Sequence, residues 1–153
     1  MESLEHLLKD HPVLRDLPDR HLSFLVGCAR NIRFPAGTFL FREDEEADAS
    51  YLLRAGRVAL EIDVPGREVV RFETVGAGEV LGWSWLFPPY RWHFDARALE
   101  PTLALALDGT CLRTKCQADH DLGYELVTRF LYQIHQRLER SRLQLLDVYR
   151  ATR

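Results

Sequence analysis

The sequence predicts a mainly β fold: a closed roll or jelly roll of short strands, flanked by helices and followed by one long C-terminal helix. Three observations predict it. Between Asn31 and Asp108, short apolar runs alternate with Gly, Pro and acidic turns at close, even spacing, as in barrels and jelly rolls. No strand–helix alternation interrupts that region, which argues against a parallel nucleotide-binding sheet. Beyond Gly109 the apolar residues return to a spacing of three and four, the helical period.

The elements run in order within one domain, residues 1–153. Residues 1–30 read as N-terminal helices. Pro18 fits a first helical turn, where its missing N–H is harmless. Leu22, Leu25, Val26 and Ala29 then share one face. Residues 31–108 read as the roll. Its predicted strands are 31–34, 38–41, 49–54, 57–64, 68–75, 79–81, 94–98 and 102–107. Turn signals at Pro35-Ala36-Gly37, Ala55-Gly56, Pro65-Gly66, Gly76-Ala77-Gly78 and Glu100-Pro101 separate most of them, and the acidic run Glu43–Glu46 reads as a solvated turn.

Residues 109–153 return to helix. Asp121 is a plausible N-cap for a helix running to about Arg150. Tyr124, Val127, Leu131, Ile134, Leu138, Leu145 and Val148 form a heptad-like seam, interrupted by Ser141. Leu126, Phe130, Leu143 and Leu146 lie beside it. One stripe can face the roll and the other a partner helix, with Val127, Leu131, Ile134, Leu138 and Leu145 as the dimer interface. The alternative is one broad face packed on the same chain.

Composition bounds the function. With 46% hydrophobic and 28% charged residues the chain is globular, and 153 residues suffice for a core without metal or disulfide. A net charge of -3 argues against a general nucleic-acid binder. Arg129, Arg137, Arg140, Arg142 and Arg150 are interspersed with Glu125, Glu139 and Asp147, the pattern of a solvated helix face. The start, Met1-Glu2-Ser3-Leu4-Glu5-His6, carries no secretory signal, and no apolar run is long enough to span a membrane. Three cysteines without a CxxC motif predict reduced thiols in the cytoplasm, with Cys28 and Cys111 in the core. Cys116 and His120 are four apart, but two ligands do not make a metal site. His93 is the sole histidine of the strand region, whereas a metal enzyme on such a roll needs several histidines and a carboxylate. The chain therefore reads as a binding module rather than an enzyme, with no metal.

Four motifs, in order, carry a resemblance. "LRDLPDRHLSFLVGCARNIRFPAGTFLFRE" leads into the first strands and the Gly37 turn. Tyr51-Leu52-Leu53-Arg54-Ala55-Gly56-Arg57-Val58 gives a Y-x-apolar-x-x-G-x-V hairpin. Gly76-x-Gly78-Glu79-x-x-Gly82 precedes a tryptophan-rich loop, and "DARALEPTLALALDGTCLR" closes the set. Together they resemble the effector domain of the Crp/Fnr family, the cyclic-nucleotide-binding type. The resemblance implies a β-roll with a helical lid, a homodimer through the long helix, and a regulatory sensor role for a small-molecule ligand, with a possible protein partner. The sequence stops at Arg153, where DNA-binding members continue into a helix-turn-helix. The expectation is a stand-alone sensor without direct DNA binding.

In that family the segment after Gly82 is the phosphate-binding cassette. A cyclic phosphate needs converging N–H groups and usually an Arg; a ribose hydroxyl needs a carboxylate. Here Gly82 matches, but Trp83 stands at the ribose Glu position and Trp85 at a small-residue position. Aligned from Ala96-Arg97-Ala98, Trp92 falls at the phosphate Arg and His93 at the small hydroxyl position, with Arg91 one place earlier. The candidate ligand-binding residues are Gly82, Trp83, Ser84, Trp85, Leu86, Tyr90, Arg91, Trp92 and His93. These residues admit three readings: a cyclic nucleotide in a modified cassette, with Arg91 reaching the phosphate; another small ligand stacked on the rings or a cation caged by them; or a roll plugged by its own rings that serves as a dimerisation or interaction scaffold.

Overall fold

The computed structural model describes residues 3–151. Eight strands form two four-stranded antiparallel sheets, one ordered β1-β8-β3-β6 and the other β2-β7-β4-β5. The strands are β1 Ala29–Phe34, β2 Phe39–Phe41, β3 Ala49–Ala55, β4 Arg57–Ile62, β5 Val70–Gly76, β6 Val80–Leu81, β7 Asp95–Ala98 and β8 Thr102–Asp108. The roll predicted from the sequence is present, each strand within about two residues of its predicted bounds. The tight turn from β3 to β4 depends on Gly56, whose φ is +97° and where a Cβ would lie 2.5 Å from Thr102 Oγ1.

Strand alternation divides the apolar residues between two cores. Leu53, Ala104 and Ala106 face the roll interior with Ala96, Ala98, Phe41, Tyr51 and Trp92. Leu52, Leu105 and Leu107 face outward and pack against the helices. The alanines shape the interior, because small inward residues on β7 and β8 leave volume that large rings can occupy.

The N-terminal segment holds two helices, α1 Leu4–Asp10 and α2 Asp19–Val26, with a 3-10 turn Pro12–Leu14 between them. The Ser3 hydroxyl caps α1, and His11 Nδ1 accepts the Val13 N–H (3.2 Å) at the following turn. Pro18 sits at the N-cap of α2, and Ala29 opens β1 instead of continuing the helical face.

The expectation of three reduced cysteines is corrected. Cys28 and Cys111 form a disulfide, with Cα atoms 5.6 Å apart. The β1–β8 ladder causes the meeting. Ala29 pairs with Leu107, the Asp108 N–H donates to the Cys28 carbonyl (2.8 Å), and α3 (Gly109–Ala118) then turns Cys111 back over Cys28. Cys116 stays a free thiol, its pKa raised by burial and by the nearby Asp119 charge.

Helix α4, His120–Ala151, begins directly after α3. Asp119, not Asp121, caps it: its carboxylate accepts the N–H groups of Asp121 (3.1 Å) and Leu122 (3.2 Å). Leu122, Leu126, Phe130 and Arg137 pack on the body. From Ser141 to Ala151 every residue is exposed, over a length of about 16 Å. Leu143 and Leu146 therefore do not continue the buried stripe of Leu126 and Phe130. Among the described residues, no helix is long and apolar enough to cross a membrane.

Candidate functional site

The cassette runs from the end of β6 to the start of β7. Gly82 follows β6 at φ +96°, its carbonyl accepting the Ser50 hydroxyl (2.8 Å). The Trp92 indole lies against it, so that a Cβ on Gly82 would be 2.6 Å from Trp92 Cη2. The indole stacks on Phe41 with centroids 3.7 Å apart and planes 9° off parallel, and Phe41 is itself stacked with Tyr51 at 6.4 Å. Trp92 is only 2% exposed. Burial pushes the Tyr51 phenol up to about 12, with Asp48 and Glu45 adding and Arg30 opposing.

The backbone explains why this ring points inward. The acidic turn is not merely solvated; it clasps the cassette. The Trp92 N–H donates to the Glu45 carbonyl (3.0 Å), the Trp92 carbonyl accepts the Asp44 N–H (2.9 Å), and Glu46 bridges to Arg91. In an extended segment neighbours alternate, so Trp92 enters the roll while Arg91 and His93 face solvent. Arg91 donates to the Asp44 carbonyl (3.3 Å) on the outside of the roll.

The other two indoles serve the long helix. Ser84–Leu86 form a 3-10 turn in which Trp85 is buried, meeting Phe130 of α4 edge to face at 5.9 Å. Its Cβ lies 2.8 Å from where a Cβ on Gly109 of α3 would be, and its Nε1–H has no hydrogen-bond partner among the described residues. Trp83 is half-buried beneath the Arg137 guanidinium, 4.8 Å from the ring centroid. Arg137, 5% exposed, is bonded to Glu73 Oε2 (2.6 Å) and to the Val80 carbonyl (2.6 Å). Arg140 pairs with Glu79 (2.9 Å), and Arg129 donates to the Val13 and Arg15 carbonyls. The solvated-face expectation thus fails for Arg129 and Arg137. Arg137 was identifiable in principle, because it lies seven residues beyond Phe130 on the same face.

The remaining candidates lie elsewhere. Tyr90 is half-buried under the Arg113 guanidinium (4.2 Å), which also donates to the Trp85 carbonyl. Leu86 and Tyr90 line an open groove of about 480 Å³ with Arg113, Gln117, His120 and Val127. Cys116 also lines it, but Cys116 and His120 sit on different helices, and no group of three possible metal ligands occurs among the described residues. The nine candidates therefore do not converge. Gly82 and Trp92 close the roll, Trp83 and Trp85 grip α4, Ser84 is half-buried in the turn, Leu86 and Tyr90 face the groove, and Arg91 and His93 face water. The cations over the rings are the chain's own Arg137 and Arg113.

Comparison with known proteins fits this fold. Structural relatives include a protein described as a cyclic nucleotide-binding protein from Geobacter metallireducens GS-15, with 28% identity, TM-score 0.79, and 90% of this chain and 99% of that one covered. A cyclic nucleotide-binding domain from Methylobacillus flagellatus KT shows 19% identity, TM-score 0.81, and coverage of 96% and 86%. The catabolite activator protein of Thermus thermophilus shows 21% identity, TM-score 0.67, and coverage of 90% and 63%. No curated protein matches the chain. The family model described as "Cyclic nucleotide-binding domain" matches residues 31–119, more than half of the sequence. The chain belongs to the cyclic nucleotide-binding domain family.

Proposed function

We propose that this chain is a regulatory assembly module that displays α4 to a second copy of itself, with its roll filled from within instead of holding a cyclic nucleotide. The observation that carries this reading is the Trp92–Phe41 stack over Gly82. An indole fills the space beside the glycine turn, and the nearest arginine in sequence, Arg91, lies outside. A buried anion without charge-assisted partners loses about 1.5–3 kcal/mol for each missing bond. Admitting one here also requires expelling a packed ring. Burial of Trp83 and Trp85 against α4 adds support, because it ties the cassette to the helix without a ligand.

The α4 surface supports the partner. By helical geometry, Val127, Leu131, Ile134, Leu138 and Leu145 lie on a stripe turned about 90° from the body-facing Leu126, Phe130 and Arg137. Leu131 is 61% exposed and Leu145 57%. A homodimer through this stripe is the expected state, in a cytoplasmic protein that is not an enzyme. A small ligand is a second reading, favoured by the groove beside Leu86 and Tyr90, whose volume lies within the usual range for ligand sites.

All three tryptophans lie in the cassette, so intrinsic fluorescence tests both readings. The proposal expects no saturable response to cAMP, cGMP or small aromatic metabolites, together with a dimer by light scattering. A saturable cyclic-nucleotide response would overturn it. Saturation by another metabolite, abolished in Tyr90→Ala, would establish the second reading.

A further inference from the structure

We propose that the Cys28–Cys111 disulfide is a thiol-exchange site that opens in the folded protein, and that its opening releases α3 from the N-terminal segment. Its regulatory meaning rests on the assembly reading, but the chemistry of the bond can be tested without it.

Three observations carry it. First, the disulfide lies at the rim of the fold: Cys111 is partly exposed, and Cys28 borders an open cleft of about 220 Å³. Second, cations stand on the Cys28 side of the bond. The Lys115 ammonium, which donates to the Phe24 carbonyl, lies 2.9 Å from where a Cβ on neighbouring Gly27 would be, and Arg30 lines the cleft. Cations lower a thiol's pKa and make it a better leaving group. Asp48 and Asp108 also line the cleft and oppose this, but the Asp108 carboxylate is engaged by the Cys111 N–H (2.7 Å). Third, the bond ends on the helix that contacts both functional elements. From α3, Arg113 holds the Trp85 carbonyl and covers Tyr90, and the helix packs on α4 and on the 3-10 turn of the cassette.

The exchange balances. An incoming thiolate forms a bond to Cys111 Sγ, the Cys28–Cys111 bond breaks, and Cys28 leaves with the electron pair. A second thiolate then attacks the mixed disulfide, releasing Cys111 as thiolate and the reagent as its own disulfide. Two electrons and two protons pass from the reagent thiols to the protein. The chemical class of the reactant is a thiol, from a small molecule or a dithiol protein. In a cytoplasmic setting disulfides are usually of this transient kind.

The test uses the Cys116→Ser chain, which leaves only the two bonded cysteines. It is treated under native conditions with reduced glutathione, quenched in acid and mapped by peptide mass. The expected product carries glutathione on Cys111 and a free thiol on Cys28. Reduction by dithiothreitol is expected to reach completion in buffer at a rate little changed by sub-denaturing urea, and to lower Tm by about 10 °C or more. Glutathione on Cys28 instead would overturn the assigned direction. Resistance to dithiothreitol, to glutathione and to a thioredoxin-type dithiol protein until the chain unfolds would overturn the exchange site and leave a purely structural bridge. Reduction without change in Tm or in Trp85 emission would overturn the release of α3. Reaction with dithiothreitol and glutathione assigns the site to small thiols; reaction only with a thioredoxin-type dithiol protein supports the same chemistry from the protein source.

Discussion

At the residue scale, Trp92 decides the character of the roll. It occupies the place where the family resemblance puts a phosphate-binding Arg, and its stacking on Phe41 sets the ring in the core of the roll. Trp92→Ala is expected to cost about 3–5 kcal/mol in urea unfolding, as for large-to-small changes at packed sites. A loss below about 1 kcal/mol would mean that the ring is dispensable packing. Arg137 is the second decisive residue. Arg137→Leu leaves Glu73 without its closest cation and uncovers Trp83, with an expected loss of about 3 kcal/mol and a red shift in tryptophan emission. Unchanged emission would contradict the Trp83 contact.

His11 adds a pH dependence. Its Nδ1 accepts the Val13 N–H and its Nε2 lies 2.8 Å from the Leu53 carbonyl, so the ring is neutral with the proton on Nε2. Burial lowers its pKa from 6.5, and the charge of Arg54 lowers it further, against the opposing effect of the Leu53 bond. The unfolded chain binds a proton there at pH values where the folded chain does not. Stability should therefore fall as pH drops below about 6.5, and level off below the folded pKa. The fall should be shallower in His11→Gln; identical slopes would remove His11 as the cause. The residue identities were all visible in the sequence, but their directions were not. That Trp92 points inward and Arg91 outward depends on the clasp by Asp44 and Glu45, whose partner Trp92 lies nearly fifty residues away in sequence.

At the scale of elements, the strands were legible because turn chemistry bounds them, as at Gly56 and at Pro65-Gly66. The long helix was legible from its period. Less visible was what each face meets. Leu126 and Phe130 find the body, whereas Leu143 and Leu146 lie past the last packed turn. The disulfide was hidden for a related reason: its cysteines are 83 residues apart, and only the β1–β8 register brings them together. A loop of that length gives a cross-link worth about 4–5 kcal/mol in the chain-entropy account. The α4 stripe yields the element-scale prediction. Leu138→Glu, at a 46% exposed seam position, should convert a dimer to a monomer by light scattering while leaving the far-UV circular dichroism of the roll unchanged. A persistent dimer would place the interface elsewhere.

At the scale of the whole molecule, the two cores are joined by the cassette, with one indole in the roll and two against α4. Ligand-driven signalling requires two states with different affinity for the ligand. On the proposed reading the volume and contacts that would distinguish them are occupied by the chain itself. The same packing favours one arrangement of roll and helix. The most direct measurement is calorimetric titration of the intact protein with cAMP and with cGMP. A roll closed by Trp92 predicts no saturable heat for either nucleotide up to millimolar concentration. A one-site isotherm with a micromolar Kd would contradict it.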